Sequence, residues 1–327
     1  MLGKSTIPTT LNLILAVMRY SKRYRRIDLE DEPEENVIQI DQEDFFLEFM
    51  DTAEFRPRGG NSSVFRAVSP EGETTYIIKF CKYPLGTNQK REQQRLQRFE
   101  REIEALTQAS RSEFADCVIR IIDQGVLVLP AEYGTERVKY YAMEEADSDL
   151  TRFLIDNDLT FPQQVFLCSE LLRILKGLHA LGIYHRDIKA DNILMRNGRP
   201  IFGDLGLINY RTKDHDLDVF DERVGPFGFL SPEATNKCLG LRSKPTFSFD
   251  CWIDEKSDVF QLGQVFWLVL QHEVATGHLS EEDIKFPRSE MLGTIIRPML
   301  QYGKERRASI SAVELALEPI LKELAIA

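Results

Sequence analysis

Two short runs hold residue types that can move a phosphoryl group. Residues 185–192 read His-Arg-Asp-Ile-Lys-Ala-Asp-Asn, and Asp204-Leu205-Gly206 follows. Asp187 is an acid able to take a proton from a hydroxyl, and Lys189, two residues on, is a cation for the phosphate in transit. Asn192 and Asp204 offer hard oxygen ligands, of the kind magnesium accepts while still bound to phosphates. Phosphoryl transfer asks for little more, because positioning and charge neutralisation supply most of its catalysis. His185 reads as a packed structural histidine rather than a base.

The elements that must hold these runs follow from periodicity. Residues 53–60 and 63–68 read as two strands meeting at a glycine turn, Ser69-Pro70-Glu71-Gly72 is a turn signal, and 74–81 is a β-branched, aromatic strand. Leu96, Phe99, Ile103 and Leu106 recur at three- and four-residue spacing within 88–110, an amphipathic helix. Residues 118–129 and 138–143 supply further strands. Beyond Ser148 the pattern turns helical. Residues 162–181 open on Pro162, suited to a first helical position, and 258–271 are apolar nearly all round, as in a helix buried at the centre of a fold. The fold class expected is α+β, a small β-rich part followed by a larger helical one.

At 327 residues with 43% apolar side chains, the chain has material for a substantial core. Its five cysteines are scattered and never spaced as CxxC, which predicts reduced thiols in a cytosolic protein and no zinc site. The apolar run at residues 11–18 is too short to span a bilayer, and the arginines after it argue against a signal peptide. The net charge of −11 is local: residues 27–54 carry twelve acids and no Lys or Arg, so the remainder sums to about +1. That segment reads as a solvated spacer, with a regulatory arm as the sharper alternative. No basic stripe with interleaved aromatics points to nucleic acid.

Taken with Pro232-Glu233, Asp258 and Arg307, these runs resemble the eukaryotic-type (Hanks-type) serine/threonine protein kinase family, from about residue 55 to about 322. The resemblance implies a two-lobed fold, with a small lobe at 53–146, a large lobe at 147–325, and residues 1–52 as an extension that is basic and then acidic. It implies ATP and Mg²⁺ as cofactors and a protein as substrate. Asp187, Lys189 and Asn192 would be catalytic, and Asn192 and Asp204 would hold the metal.

The same resemblance assigns the nucleotide's contacts. Gly59 and Gly60 would let backbone N–H groups approach the phosphates, although Pro57 and Ser62 stand where the family has glycine, and Val64 would cover the adenine. Lys79 would anchor the α and β phosphates with Glu102 as its partner, while Glu100 and Glu104 point to other helix faces. Met143 would stand behind the adenine, Glu144 and Ala146 would bind the base edge through backbone groups, Asp149 would reach the ribose, and Leu194 completes the set. Pro226 departs from the family, whose Ser/Thr members present a threonine there; Ile77 and Leu205 depart too.

Ser21, in Arg19-Tyr20-Ser21-Lys22-Arg23, is a candidate autophosphorylation or pseudosubstrate site, with Asp191 placed to receive a basic peptide. Between Leu207 and Val224 the only hydroxyl side chains are Tyr210 and Thr212, amid Asp214, Asp216, Asp218, Asp221 and Glu222. Arg186 commonly receives this segment's phosphate in the family, so one or two of these carboxylates are expected to supply part of that charge permanently. Two readings compete. One is a pseudokinase acting as a nucleotide- or protein-binding module, which the full set of charged residues disfavours. The other is a small-molecule phosphotransferase, which the Pro232-Glu233 docking segment disfavours.

Overall fold

A computed structural model of the chain describes residues 18–50, 61–212, 217–218, 224–226, 228–240, 249–275, 277, 279–287 and 289–326. They fall into two units, Met1–Thr87 with Ile122–Glu144, and Asn88–Ile121 with Glu145–Ala327. The first is built from strands and the second mainly from helices, the α+β order expected from the sequence.

In the first unit, β1 (Arg19–Ser21) and β2 (Arg26–Asp28) make a small hairpin. β3 (Val37–Ile40), β4 (Glu43–Glu48), β5 (Ser62–Val68), β6 (Thr75–Cys81), β7 (Ile121–Pro130) and β8 (Thr135–Glu144) form a six-stranded sheet ordered β3-β4-β5-β6-β8-β7. Because side chains alternate across a strand, one face gathers Ile38, Ile40, Phe45, Leu47, Phe65 and Phe80. The hairpin covers that face: Met18, Tyr20 and Ile27 pack into the same cluster, and the Tyr20 hydroxyl donates to the Lys82 carbonyl at 2.6 Å. The opposite face carries Lys79.

The acidic stretch is therefore not a spacer over residues 37–48. Asp41 and Gln42 close the β3–β4 hairpin with φ of 52° and 70°, the two-residue primed turn whose twist suits paired strands. The acids keep to the turn and to solvent-facing positions such as Glu43 and Asp44, while the apolar residues between them enter the core. The strand expected at 53–60 lies outside the described residues; the strand paired with β5 is β4, in register Leu47↔Ala67. Ser21 is not presented as a peptide. It sits in β1 at 8% exposure, its hydroxyl donating to Glu132 Oε1 at 3.4 Å, and the neighbouring Lys22 N–H donates to Glu132 Oε2 at 3.1 Å.

The second unit contains α1 (Lys90–Ser110), α2 (Leu150–Asp156), α3 (Phe161–Ala180), α4 (Pro232–Gly240), α5 (Glu255–Gln271), α6 (Ser289–Met299) and α7 (Ile310–Ile326). Five short strands join them: β9 (Ser148–Asp149), β10 (Ile183–Tyr184), β11 (Ile193–Arg196), β12 (Arg199–Phe202) and β13 (Asn209–Tyr210). α5 is the hub, packed against α3 and α6 and buried nearly all round as its composition predicts. A capping box of Asp254 and Ser257 starts it, satisfying backbone N–H groups that a helix N-terminus leaves over. α1, expected with the small lobe, groups with this second unit. Its buried stripe includes Phe99 and Leu106 but also two charged residues, Arg98 and Glu102, while Leu96 and Ile103 are only half-buried. None of the five cysteines forms a disulfide, and no helix among the described residues is long and apolar enough to cross a membrane.

If the hairpin is part of the first unit's core, Ile27→Ala should cost about 2–5 kcal/mol, as for other buried Ile truncations. Denaturant titration checks this; a change within about 0.5 kcal/mol, the range of surface substitutions, would mean that the hairpin is not docked.

Candidate active site

The catalytic run is a loop between β10 and β11, and α5 holds its backbone. Asp258, fully buried, accepts the N–H groups of His185 at 2.8 Å and Arg186 at 2.7 Å, and His179 Nε2 lies 2.8 Å from the same carboxylate. One turn along α5, Gln261 Oε1 accepts the Ile188 N–H at 2.9 Å, and its Nε2 donates to the Arg186 carbonyl at 3.1 Å. These bonds fix an unfavourable backbone: Arg186 has φ of +69°, a left-handed conformation costing a non-glycine residue roughly 1–2 kcal/mol. Burial pushes the His185 pKa down. With its ring edge-on to Phe202 and Nδ1 3.3 Å from the Asp187 N–H, it is a neutral packing group.

Asp187 is half-buried, and its carboxylate is aimed by Asn192. Asn192 Nδ2 donates to Asp187 Oδ2 at 2.7 Å and to the Asp187 carbonyl at 2.8 Å. The donor end of the amide is thus engaged with Asp187, and its oxygen points to the other side. Lys189 Nζ stands 3.7 Å from Asp191 Oδ2, and Asp191 Oδ1 also accepts the Thr151 hydroxyl at 2.9 Å. Asp191 is therefore held between Lys189 of the loop and Thr151 of α2.

A two-stranded ladder brings Asn192 and Asp204 to one end. β11 and β12 pair from Ile193↔Phe202, and one step further the Gly203 N–H donates to the Asn192 carbonyl at 3.2 Å. Leu194 lies over Gly203 so closely that an added Cβ would meet its Cδ1 at 2.3 Å, and the leucine side chain would have to move. Asp204 Oδ1 accepts the Gly206 N–H at 3.0 Å. The donor set suits a hard cation. An amide and a carboxylate oxygen would share magnesium with phosphate oxygens, and no cluster of three or more His, Cys, Asp or Glu among the described residues forms an all-protein cage.

In the first unit, cross-strand pairs line up the expected nucleotide contacts. Val64 pairs with Lys79, Lys79 with Tyr141, and Ile77 with Met143, so all five share one face of the sheet. Lys79 is buried to 6% exposure, its ammonium 5.6 Å from the Tyr141 ring centre. Glu144 ends β8 opposite Tyr76. In the second unit, Glu102 is the buried carboxylate of α1 at 3% exposure, whereas Glu100 is half-buried and Glu104 exposed. Ala146 is half-buried just before β9, and Asp149 caps α2 by accepting the Arg152 N–H. Gly59 and Gly60 lie outside the described residues.

Two features escape a reading of the sequence alone. Gln261 is one. The other is the choice of Asp218 among the activation-segment acids. Asp218 Oδ1 pairs with Arg98 of α1 at 3.2 Å, and Oδ2 pairs with both Arg186 and Lys237 of α4. One buried carboxylate thus ties α1, the catalytic loop and α4 to the segment. Tyr210 is buried in β13, and Thr212 is exposed; Asp214, Asp216, Asp221 and Glu222 lie outside the described residues.

The docking segment is anchored by a second buried ion pair. Arg307 Nη1 and Nη2 reach Glu233 Oε1 and Oε2 at 2.7 and 3.2 Å, and Ser257 Oγ donates to Oε1 at 2.5 Å. Arg307 also donates to the carbonyls of Gln301 and Lys256. Burial pushes the Glu233 carboxyl up, but Arg307 and Ser257 outweigh it and hold its pKa below the ordinary range.

Residues 57–316 match the family model of the protein kinase domain. The chain belongs to the protein kinase family. It is similar to the dual specificity protein kinase Ttk of Danio rerio, 23% identical over 281 residues, covering 81% of this chain and 26% of the relative. It is also similar to human serine/threonine-protein kinase 16, 29% identical over 163 residues, covering 49% of this chain and 50% of the relative. Rice mitogen-activated protein kinase 11 is 32% identical over 135 residues, 40% of this chain and 23% of the relative. The chain thus spans about a quarter of the first relative's length and half of the second's.

Arg307→Met should destabilise the second unit by about 3–5 kcal/mol, because it strands the Glu233 charge in the interior. Since the folded-state pKa of Glu233 is depressed, its contribution is complete above the ordinary value of 4.5 and is lost as pH falls through and below it. Unfolding titrations of wild type and Arg307→Met across that range check both; equal acid sensitivity would remove Glu233 from the account.

Proposed function

We propose that the chain is an ATP- and magnesium-dependent kinase that transfers the γ-phosphate to serine and threonine hydroxyls of proteins. The observation that carries this reading is the Asn192–Asp187 bond pair, on a loop whose backbone is clamped by α5. It holds a carboxylate ready for a substrate hydroxyl, and leaves the amide oxygen for a metal. Asp187 orients that hydroxyl and accepts its proton as the new P–O bond forms, an effect worth roughly 10²–10⁴-fold. Lys189 offsets charge on the transferring group. Asn192 and Asp204 hold magnesium, which when bound neutralises the phosphate oxygens.

In the same reading Lys79 engages the α and β phosphates with Glu102 as its partner, and the backbone at Gly59 and Gly60 approaches the triphosphate. Val64, Leu194, Glu144 and Ala146 take the base. Residues 53–325 are the catalytic domain of this reading, residues 1–52 are an extension that adds β3 and β4 to its sheet and the β1–β2 hairpin to its core, and thiols without disulfides fit a cytoplasmic protein. Lysine at position 189 supports serine and threonine as acceptors, and the name of the human relative agrees. Pro226 supplies no side-chain hydroxyl to Asp187 and Lys189, so acceptor choice falls to the rest of the docking segment.

Asp218 gives this reading its regulation. A phosphate at that place would bring about −1.5 to −2 charges; Asp218 already supplies one to Arg98, Arg186 and Lys237.

Three substitutions test the chemistry. Asp187→Asn, Lys79→Ala and Asp204→Asn should each remove nearly all transfer of labelled phosphate from Mg-ATP to a protein, with circular dichroism unchanged. If Asp204→Asn keeps most of its magnesium-dependent rate, the metal assignment is wrong. Bacterially expressed protein should be active before any loop phosphorylation. Neutralising Asp218, Asp221 and Glu222 together should lower its rate by at least about tenfold, equivalent to roughly 1.4 kcal/mol, with Thr212→Ala nearly silent. The reverse ranking would establish a phosphate switch at Thr212.

A further inference from the structure

Gln261 stands out among the polar groups of the second unit. It is fully buried on a helix packed on nearly all sides, and both ends of its amide bond to one loop. The acceptor end takes the Ile188 N–H and the donor end reaches the Arg186 carbonyl. Those two peptide groups are the ones flanking Asp187. Asp258 holds the preceding N–H groups, of His185 and Arg186, one turn earlier on α5. Four backbone groups around the left-handed turn at Arg186 (φ +69°), the N–H groups of His185, Arg186 and Ile188 and the Arg186 carbonyl, therefore bond to two side chains of a single buried helix.

The same amide also borders the docking segment. Gly225 has φ of +116°, and a Cβ built there would lie 3.3 Å from Gln261 Nε2 and 3.3 Å from the Arg186 carbonyl oxygen. The catalytic loop and the segment that follows Val224 thus converge on one side chain. A hydrogen-bonded amide suits this place where an apolar residue would not, because a buried N–H and a buried C=O left unpaired are each costly.

We propose that Gln261 is a positioning residue for phosphoryl transfer: by bracketing Asp187 through the peptide groups on either side, it fixes where that carboxylate meets the substrate hydroxyl. The proposal rests on the reading of Asp187 as the base. A reacting group displaced by about an ångström can cost roughly 100-fold in rate with little change in binding.

The test compares Gln261→Met and Gln261→Glu with Val269→Ala, a truncation in the core of α5 that is two turns away. Gln261→Met should lower kcat by roughly 10–100-fold with KM for ATP within about twofold, and amide exchange in the peptide covering residues 185–190 should quicken. Val269→Ala should change neither, even where its Tm falls as far. Gln261→Glu keeps the acceptor but can donate to the Arg186 carbonyl only when protonated. Burial raises a carboxyl pKa, so its kcat relative to wild type should rise as pH is lowered from about 8 to about 6.

If both Gln261 variants match Val269→Ala in kcat, and exchange at 185–190 is unaltered, the role is structural and the proposal fails. If the wild type transfers no phosphate, the proposed function fails. The exchange measurement then still decides whether Gln261 holds the loop.

Discussion

A carboxylate with no access to water governs this molecule's chemistry. Asp258 sits at the first turn of α5, and a charge so placed must be spent on donors. The donors available are the backbone N–H groups at the start of the catalytic loop. That bargain forces the turn at Arg186 into its left-handed form and sends Asp187 outward to meet Asn192. The β11–β12 ladder then carries Asn192 and Asp204 to the same end. The first step depends on bonds to α5, which is packed on nearly all sides.

Two further ion pairs extend this frame. Glu233 and Arg307 are both buried and bidentate, and Ser257, beside Asp258, donates to the same carboxylate. The docking segment, the catalytic loop and the last helices are thereby referred to one origin. Asp218 does the corresponding work on the other side, joining α1 and α4 to the loop. In each case the charge is out of solvent, where opposite charges interact more strongly than at a surface.

Much of this was legible in sequence because it is contiguous. Asp187, Lys189 and Asn192 occupy one short run, so their gathering on one loop follows from spacing. α3 and α5 announce themselves by period. The β3–β4 hairpin does not, because its acids and its apolar residues alternate. Averaged over a window the stretch is a charge run, although Ile38, Ile40, Phe45 and Leu47 are in strand phase. β1 and β2 are only three residues long, too short for any period to show. Gln261 escapes for another reason: its partners lie some seventy residues earlier, and a glutamine in an apolar helix carries no local sign of what it will meet. Arg98 also misleads, since a buried cation on α1 makes sense only beside a partner from elsewhere in the chain, here Asp218.

The carboxylate at Asp218 has a consequence outside the molecule. A phosphorylated loop can be written and erased by other enzymes, so its owner listens to signalling. An aspartate is written once, by the ribosome, and no phosphatase removes it. In the proposed reading, a kinase whose loop is held by Asp218 is set when it is made, and its control falls to its amount, its location or its access to substrate.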